Sequence, residues 1–229
     1  MLLAFTRAFA QLPDPRFKRV MWRSLFWSVL LFAFLVTLAW TTISQTTFFE
    51  NGWLEVFVDV LGGLAAVILA FLLFPGIIST VMSMYLDEVA EAVEAKHYND
   101  LPAARPTKIS EQVASGARLL TLTLVLNIAA LPVYIWAPGI NLFVYYGLNG
   151  YLLGREYFEM VALRRMDMAA ARQFRRRNRL YVTLAGAVVA GMLSIPIVGW
   201  LMPVVATAFM VHLVETLRND AARSQHNGA

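Results

Sequence analysis

Lys18 and Arg19, with Arg16 beside them, follow Pro13-Asp14-Pro15 and stand just before a charge-free apolar run. A helix starting near Pro15 would present free backbone N–H groups and the positive end of its dipole. Cationic side chains at such an end make an oxyanion-binding site, and the same residues also read as the ordinary basic flank of a membrane span. Asp87, Glu88, Glu91 and Glu94 lie at helical spacing. They could hold a divalent cation, but the simpler reading is a solvated helix face. Arg155 and Glu159 are four residues apart, so they pair on one helix face as a structural ion pair. Eight arginines between Arg155 and Arg179 read as an anchor on anionic lipid headgroups and a topology signal, in preference to a nucleic-acid interface.

Several kinds of chemistry are excluded by what is missing. The chain contains no cysteine, which removes disulfides, thiolate metal sites and cysteine nucleophiles. His97, His212 and His226 lie too far apart in sequence to suggest a metal cluster. There is no phosphate-binding loop, dinucleotide fingerprint, zinc-protease or serine-hydrolase motif. The residues therefore predict no enzyme, cofactor or metal. Apart from His212, and from Arg155, Glu156 and Glu159 at the end of one arm, the apolar arms are free of ionisable groups. Any transport through them is then channel-like or driven by another gradient, rather than a proton relay.

The elements that must position these residues belong in a membrane. Of the 229 residues, 59% are hydrophobic and 15% charged, and mean hydropathy is +0.61; a soluble domain averages about 45–50% and about 25%. A bilayer span needs about 20 apolar residues. Two long runs qualify, Ser24 to Trp40 and Val60 to Met84, the second with a kink at Pro75-Gly76. Leu119 to Trp136 and Ile140 to Gly154 flank Pro138-Gly139. Leu180 to Ile195 and Trp200 to Val214 flank the turn from Pro196 to Gly199. Most of these arms are short, which predicts helical hairpins that span narrowly or penetrate part way. Asn141 is placed to cap an arm, and Pro203 falls in the first turn of another. The runs are continuous, so a strand barrel has no support.

The fold class is therefore an all-α integral membrane protein of two long transmembrane helices plus two short-armed hairpins, in one domain over 1–229. A cytoplasmic interfacial segment covers 1–19 and the two long spans 20–84. A cytoplasmic helix and linker cover 85–118, and the first hairpin 119–154. A basic cytoplasmic segment covers 155–179, the second hairpin 180–214, and a cytoplasmic tail 215–229. Residues 1–12 repeat Leu and Phe at helical spacing and suit a helix lying in the interface. Tyr85 to Tyr98 reads as an amphipathic helix with Leu86, Val89 and Val93 inward and Asp87, Glu91 and Glu94 on the wet side. Ala103 to Thr107 reads as a linker.

All 19 Lys and Arg residues fall in the N-terminal stretch, the 96–118 segment, the 155–179 segment or the tail. The 41–59 loop and both hairpin turns carry none. Basic residues stay on the cytoplasmic side, so both termini face the cytoplasm of a multi-pass bacterial inner-membrane protein. A cleaved signal peptide is the competing reading of the N-terminus, but the apolar run is long and no clear Ala-x-Ala site follows.

Four stretches resemble the CysZ-type sulfate permeases and the wider etoposide-induced-protein membrane family. They are Leu12-Pro-Asp-Pro-Arg-Phe-Lys-Arg-Val20, Phe74-Pro-Gly-Ile-Ile78 leading into the acidic Met84–Glu94 helix, the Asn149–Arg165 block containing Gly-Arg-Glu-Tyr-Phe-Glu, and Ile195-Pro-Ile-Val-Gly-Trp-Leu-Met-Pro203. The resemblance implies two long helices and two partly penetrating hairpins, conduction of sulfate into the cytoplasm for cysteine biosynthesis, and a homo-oligomer. It also implies an anion site of glycine-rich backbone and paired basic residues at the start of the first long helix. Lys18 and Arg19 match the basic pair, whereas Asp14, Pro15 and Arg16 stand where glycines are expected. The alternative reading is a membrane scaffold of the same fold that transports nothing.

Overall fold

The first long helix starts where its cap dictates. Asp14 accepts the Arg16 amide on its Oδ1 at 2.9 Å, its carbonyl accepts the Lys18 amide at 3.0 Å, and Pro15 occupies the first helical position, where a missing N–H costs nothing. The computed structural model describes residues 1–44, 52, 61–64, 68, 73–74, 76–78, 80–105, 109–196 and 198–226. Its helices include α1 (Leu2–Ala10), α2 (Pro15–Ser44), α3 (Leu86–His97), α4 (Ile109–Trp136), α5 (Asn141–Ala162), α6 (Met168–Arg177), α7 (Arg179–Leu193) and α8 (Met202–His226). Short 3-10 turns over Pro138–Ile140 and Val198–Leu201 separate α4 from α5 and α7 from α8. No strand occurs among the described residues.

Three described helices are long and apolar enough to cross a membrane, within Pro15–Leu38, Ala114–Trp136 and Val198–Arg223. Their surroundings differ. Only 17% and 6% of the apolar windows of the first two are buried, against 83% of the third. The first two offer their side chains to lipid, with Trp22, Phe26 and Trp136 exposed. The third, α8, is the axis of the bundle, and every residue from Met202 to Glu215 is buried. A helix apolar all round is one enclosed on all sides.

α5 and α7 join the two hairpins at a close backbone approach. A Cβ on Gly186 would lie 1.9 Å from the Gly150 carbonyl oxygen, and one on Gly154 would lie 2.3 Å from that of Val182. Small residues four apart let apolar helices touch backbone to backbone. Gly199 in the second turn is similarly crowded by the Leu193 carbonyl, at 2.4 Å from a built Cβ. Gly139 in the first turn has open space around it.

Several sequence expectations need correction. The first-hairpin arms are longer than their apolar runs: α4 has 28 residues and α5 has 22, about 42 and 33 Å at 1.5 Å per residue. The apolar run stops at the first charge, but α5 does not, because Arg155 and Glu159 beyond it pair with each other. Only α7, with 15 residues, is too short for a bilayer of about 30 Å. Asn141 does not cap α5; it is the first helical residue, and its Nδ2 donates back to the Tyr134 carbonyl at 3.3 Å. α1 does not depend on an interface alone. Ala4 and Ala8 are buried, and Phe5 meets Phe209 of α8 edge-on at 5.9 Å, leaving Leu2 and Leu3 exposed. Pro203 does stand in the first turn of α8. Pro75, with nine other residues of the 60–84 run and most of the 41–59 loop, lies outside the described residues, while Gly76 is helical and exposed.

Candidate functional site

Two helices frame the basic start of α2. Arg16, Arg19 and Arg23 recur at three and four residues, so they share one face; Glu88 and Glu91 do the same on α3. The two faces bound a groove of about 350 Å³, floored by Phe17, Val20 and Val89. Arg23 and Glu88 approach to 3.8 Å with both side chains about half exposed, a pair worth at most about 1 kcal/mol. The Arg23 guanidinium also lies 5.6 Å from the centre of the Tyr85 ring. Three guanidinium groups therefore face two carboxylates. Lys18 is exposed on another side of α2, outside this groove.

Asp14, outside the groove lining, caps the helix that carries these arginines. Its Oδ2 accepts from Lys96 Nζ at 2.7 Å while Oδ1 takes the Arg16 amide. The Lys96 ammonium, and then the Arg16 amide, hold the Asp14 carboxyl below the usual carboxylate range. This corrects the picture of a helix end with free donors. Two first-turn amides, those of Arg16 and Lys18, are already bonded to Asp14, so the groove offers an anion side chains rather than backbone.

Three acids of α3, Asp87, Glu88 and Glu91, are exposed as a solvated face requires, and only Glu94 departs from it. Glu94 is buried, and its carboxylate takes Arg164 through Nε at 3.2 Å and Nη2 at 3.0 Å. Arg165 adds a contact at 2.5 Å and donates also to the Pro102 carbonyl, while Asp87 lies 3.4 Å from Arg164. Next to this network, Arg155 and Glu159 form the expected i, i+4 pair at 3.0 Å, with both side chains buried. Glu159 also accepts from Ser115 at 2.7 Å and lies 3.4 Å from Arg175. Part of the arginine-rich segment is thus spent on the protein's own carboxylates. Arg176, Arg177 and Arg179 are exposed.

A buried polar network escaped the sequence reading. His212 of α8 is bonded to Gln11 Nε2 through its Nε2 and to the Tyr98 hydroxyl through its Nδ1, both at 2.8 Å. His97 stacks edge-on against the same ring at 5.1 Å. His97 and His212 therefore do meet, although no group of three or more potential metal ligands forms among the described residues. The only sequence signal was that a histidine inside an apolar run demands a partner.

A family model described as sulfate transporter CysZ/etoposide-induced protein 2.4 matches residues 4–203. No curated protein matches the chain.

Proposed function

The chain belongs to the sulfate transporter CysZ/etoposide-induced protein 2.4 family, and from that premise we propose that it is a bacterial inner-membrane permease for sulfate or a related oxyanion. It conducts the anion in channel-like fashion into the cytoplasm, where sulfate feeds cysteine biosynthesis. The observation that carries this reading is the groove beside the first membrane-length helix, where Arg16, Arg19 and Arg23 converge over an apolar floor. Guanidinium groups match tetrahedral oxyanions in both charge and fork geometry. Lys18, one residue from Arg19 and exposed, adds positive potential that draws anions toward the helix start.

The basic segments support the orientation. Lys96 with Asp14, Arg23 with Glu88, and Arg164 and Arg165 with Glu94 tie them to one another, while the turns at 138–140 and 196–199 carry no Lys or Arg. We assign the basic end, and with it both termini, to the cytoplasm, and the exposed Arg176, Arg177 and Arg179 to anionic lipid headgroups. Two long spans with two hairpins remains our reading of the topology, and the little-buried α4 is the surface on which a homo-oligomer would form.

Radiolabelled sulfate uptake in a permease-deficient strain tests the function. The wild-type chain should restore uptake, and Arg16→Ala with Arg19→Ala should abolish it with membrane insertion intact. A membrane-inserted wild-type chain that restores nothing would leave the scaffold reading. That second reading is favoured by one observation, the Asp14 side chain occupying the helix cap.

A further inference from the structure

We infer that the groove between α2 and α3 is built for a ligand that joins a doubly charged oxyanion to an ammonium group by a short linker, the chemistry of an aminoalkyl phosphate. The inference rests on the permeation reading above and names the ligand class of that same site. It starts from the charges the groove itself carries. Arg16, Arg19 and Arg23 stand on the α2 wall, and Glu88 and Glu91 on the α3 wall. Arg23 and Glu88 approach to 3.8 Å and answer each other. Among the described residues, the side chains of Arg16, Arg19 and Glu91 form no ion pair. Glu91 adds to the field at Arg164, but Arg164 is bonded to Glu94. Two positive charges and one negative charge are therefore left for a ligand. Sulfate matches the two arginines and is repelled by Glu91. A phosphate monoester is likewise a dianion at mildly alkaline pH, and an ammonium on its alkyl chain supplies the positive charge that Glu91 lacks.

The charges are also ordered along the groove. Beyond one end of it Asp14 meets Lys96 at 2.7 Å, and near the other Arg23 meets Glu88, so α2 and α3 run antiparallel. By that register Arg16 lies opposite Ala92 and Ala95, the part of the α3 wall without a carboxylate. Glu91 comes next, opposite Arg19 and before Glu88. The oxyanion therefore belongs at the Arg16 end, between two guanidinium groups one helical turn apart, whose fork geometry suits phosphate oxygens. The ammonium then points along the groove to Glu91. The apolar floor of Phe17, Val20 and Val89 suits the methylenes of the linker. A volume of about 350 Å³ is near the lower end for ligand sites, which selects a small ester or a single lipid headgroup.

Binding is measured by calorimetry on the purified full chain, in micelles free of phosphatidylethanolamine, with phosphoethanolamine and with ethyl phosphate, which lacks the ammonium. Phosphoethanolamine should bind roughly tenfold more tightly, the scale of one charge-assisted hydrogen bond at an exposed site. Glu91→Gln should move the two ligands in opposite directions. Phosphoethanolamine should weaken roughly tenfold, while ethyl phosphate and sulfate tighten because the repelling charge is gone. A damaged variant loses all three ligands together, so damage cannot produce this crossing. The wild-type comparison of the two esters stands even if the variant fails to fold.

Equal affinity of the wild-type chain for the two esters, or a Glu91→Gln change of the same sign for both, overturns the inference. Sulfate binding in that case leaves the permeation reading intact. A wild-type chain that binds neither ester nor sulfate overturns the permeation reading, and this inference with it. In nanodiscs of phosphatidylglycerol, added phosphatidylethanolamine separates the two sources of this chemistry. Competition with phosphoethanolamine supports the site with a lipid headgroup in it, and unchanged binding supports it with a soluble ester.

Discussion

Gln11 and His212, 201 positions apart in the chain, share a hydrogen bond of 2.8 Å in the buried interior. It fixes the segment after α1 to the middle of α8, and Tyr98 fastens the end of α3 to the same ring. A neutral imidazole offers one donor and one acceptor nitrogen, so both are used once. Replacing Gln11 by Leu removes one partner and leaves a buried ring nitrogen unsatisfied, at a cost of about 1–3 kcal/mol. Tyr98→Phe should cost about 1 kcal/mol, because Tyr98 is only half-buried and water can replace it. Thermal unfolding in detergent should place Gln11→Leu below Tyr98→Phe, and the reverse order would show that the network does not hold α1 in place.

Gly186 permits the joining of the two hairpins. Its built Cβ meets only backbone, the Gly150 carbonyl oxygen at 1.9 Å and the Gly154 amide nitrogen at 2.3 Å, so no side chain can swing aside. Gly186→Ala must push α5 and α7 apart, and the loss should reach or exceed the roughly 1–3 kcal/mol typical of overpacking. Gly191→Ala, on the same helix with nothing within 4 Å, should be neutral or slightly stabilising, as Ala is the better helix former. Equal melting temperatures for the two variants would refute the contact.

Glu159 gathers Arg155, Arg175 and Ser115 around one buried carboxylate. Glu159→Gln keeps the shape and removes the charge, stranding Arg155, whose side chain is 6% exposed. Removing one member of a buried pair costs about 3–5 kcal/mol. The variant should accumulate poorly in the membrane and melt early. A wild-type melting temperature would mean that water already solvates the pair.

Which parts of this were legible beforehand follows from the range of each interaction. Arg155 and Glu159 are four apart on one helix, so their pairing is written in the spacing. The apolar stripe Leu86, Val89 and Val93 fixed the amphipathic helix to within a residue of the observed Leu86–His97, and proline and glycine marked both turns. Arm lengths were missed because hydropathy stops at a charge, whereas Arg155 and Glu159 continue α5 by neutralising each other. Glu94 looked solvated because its partners, Arg164 and Arg165, arrive from about 70 residues away. Tertiary contact of this kind leaves no local trace. The Gly150-x-x-x-Gly154 spacing was a readable signal of close helix packing, although it does not reveal Gly186 as its counterpart.

Asp14 carries a pH dependence whose sign is fixed by its partners. Lys96 and the Arg16 amide lower its folded pKa, so folding favours the ionised form. The resulting stability is fully present above the unfolded value of about 3.9 and is lost as pH falls through the depressed folded value. Lys96 is half exposed, which limits the pair to at most about 1 kcal/mol. Melting temperature followed from pH 6 to pH 3 should therefore fall less steeply for Asp14→Asn than for wild type. Parallel curves would mean that the Asp14–Lys96 pair is absent in solution.

Asn127 lies near the middle of the span Ala114–Trp136, exposed, and among the described residues its amide donates only to the Thr123 carbonyl of its own helix, at 2.8 Å. An amide facing hydrocarbon is costly, and such groups pair across membrane helices. In a two-fold homo-oligomer packed along α4, a second Asn127 supplies the matching donor and acceptor. The chain has no cysteine of its own, so Asn127→Cys gives a clean reporter. Oxidation in native membranes should yield a disulfide-linked dimer, while Ile128→Cys, one residue round the helix, should yield much less. Equal crosslinking at both positions, or none at Asn127→Cys beside a chemically trapped oligomer, would place the interface on another helix.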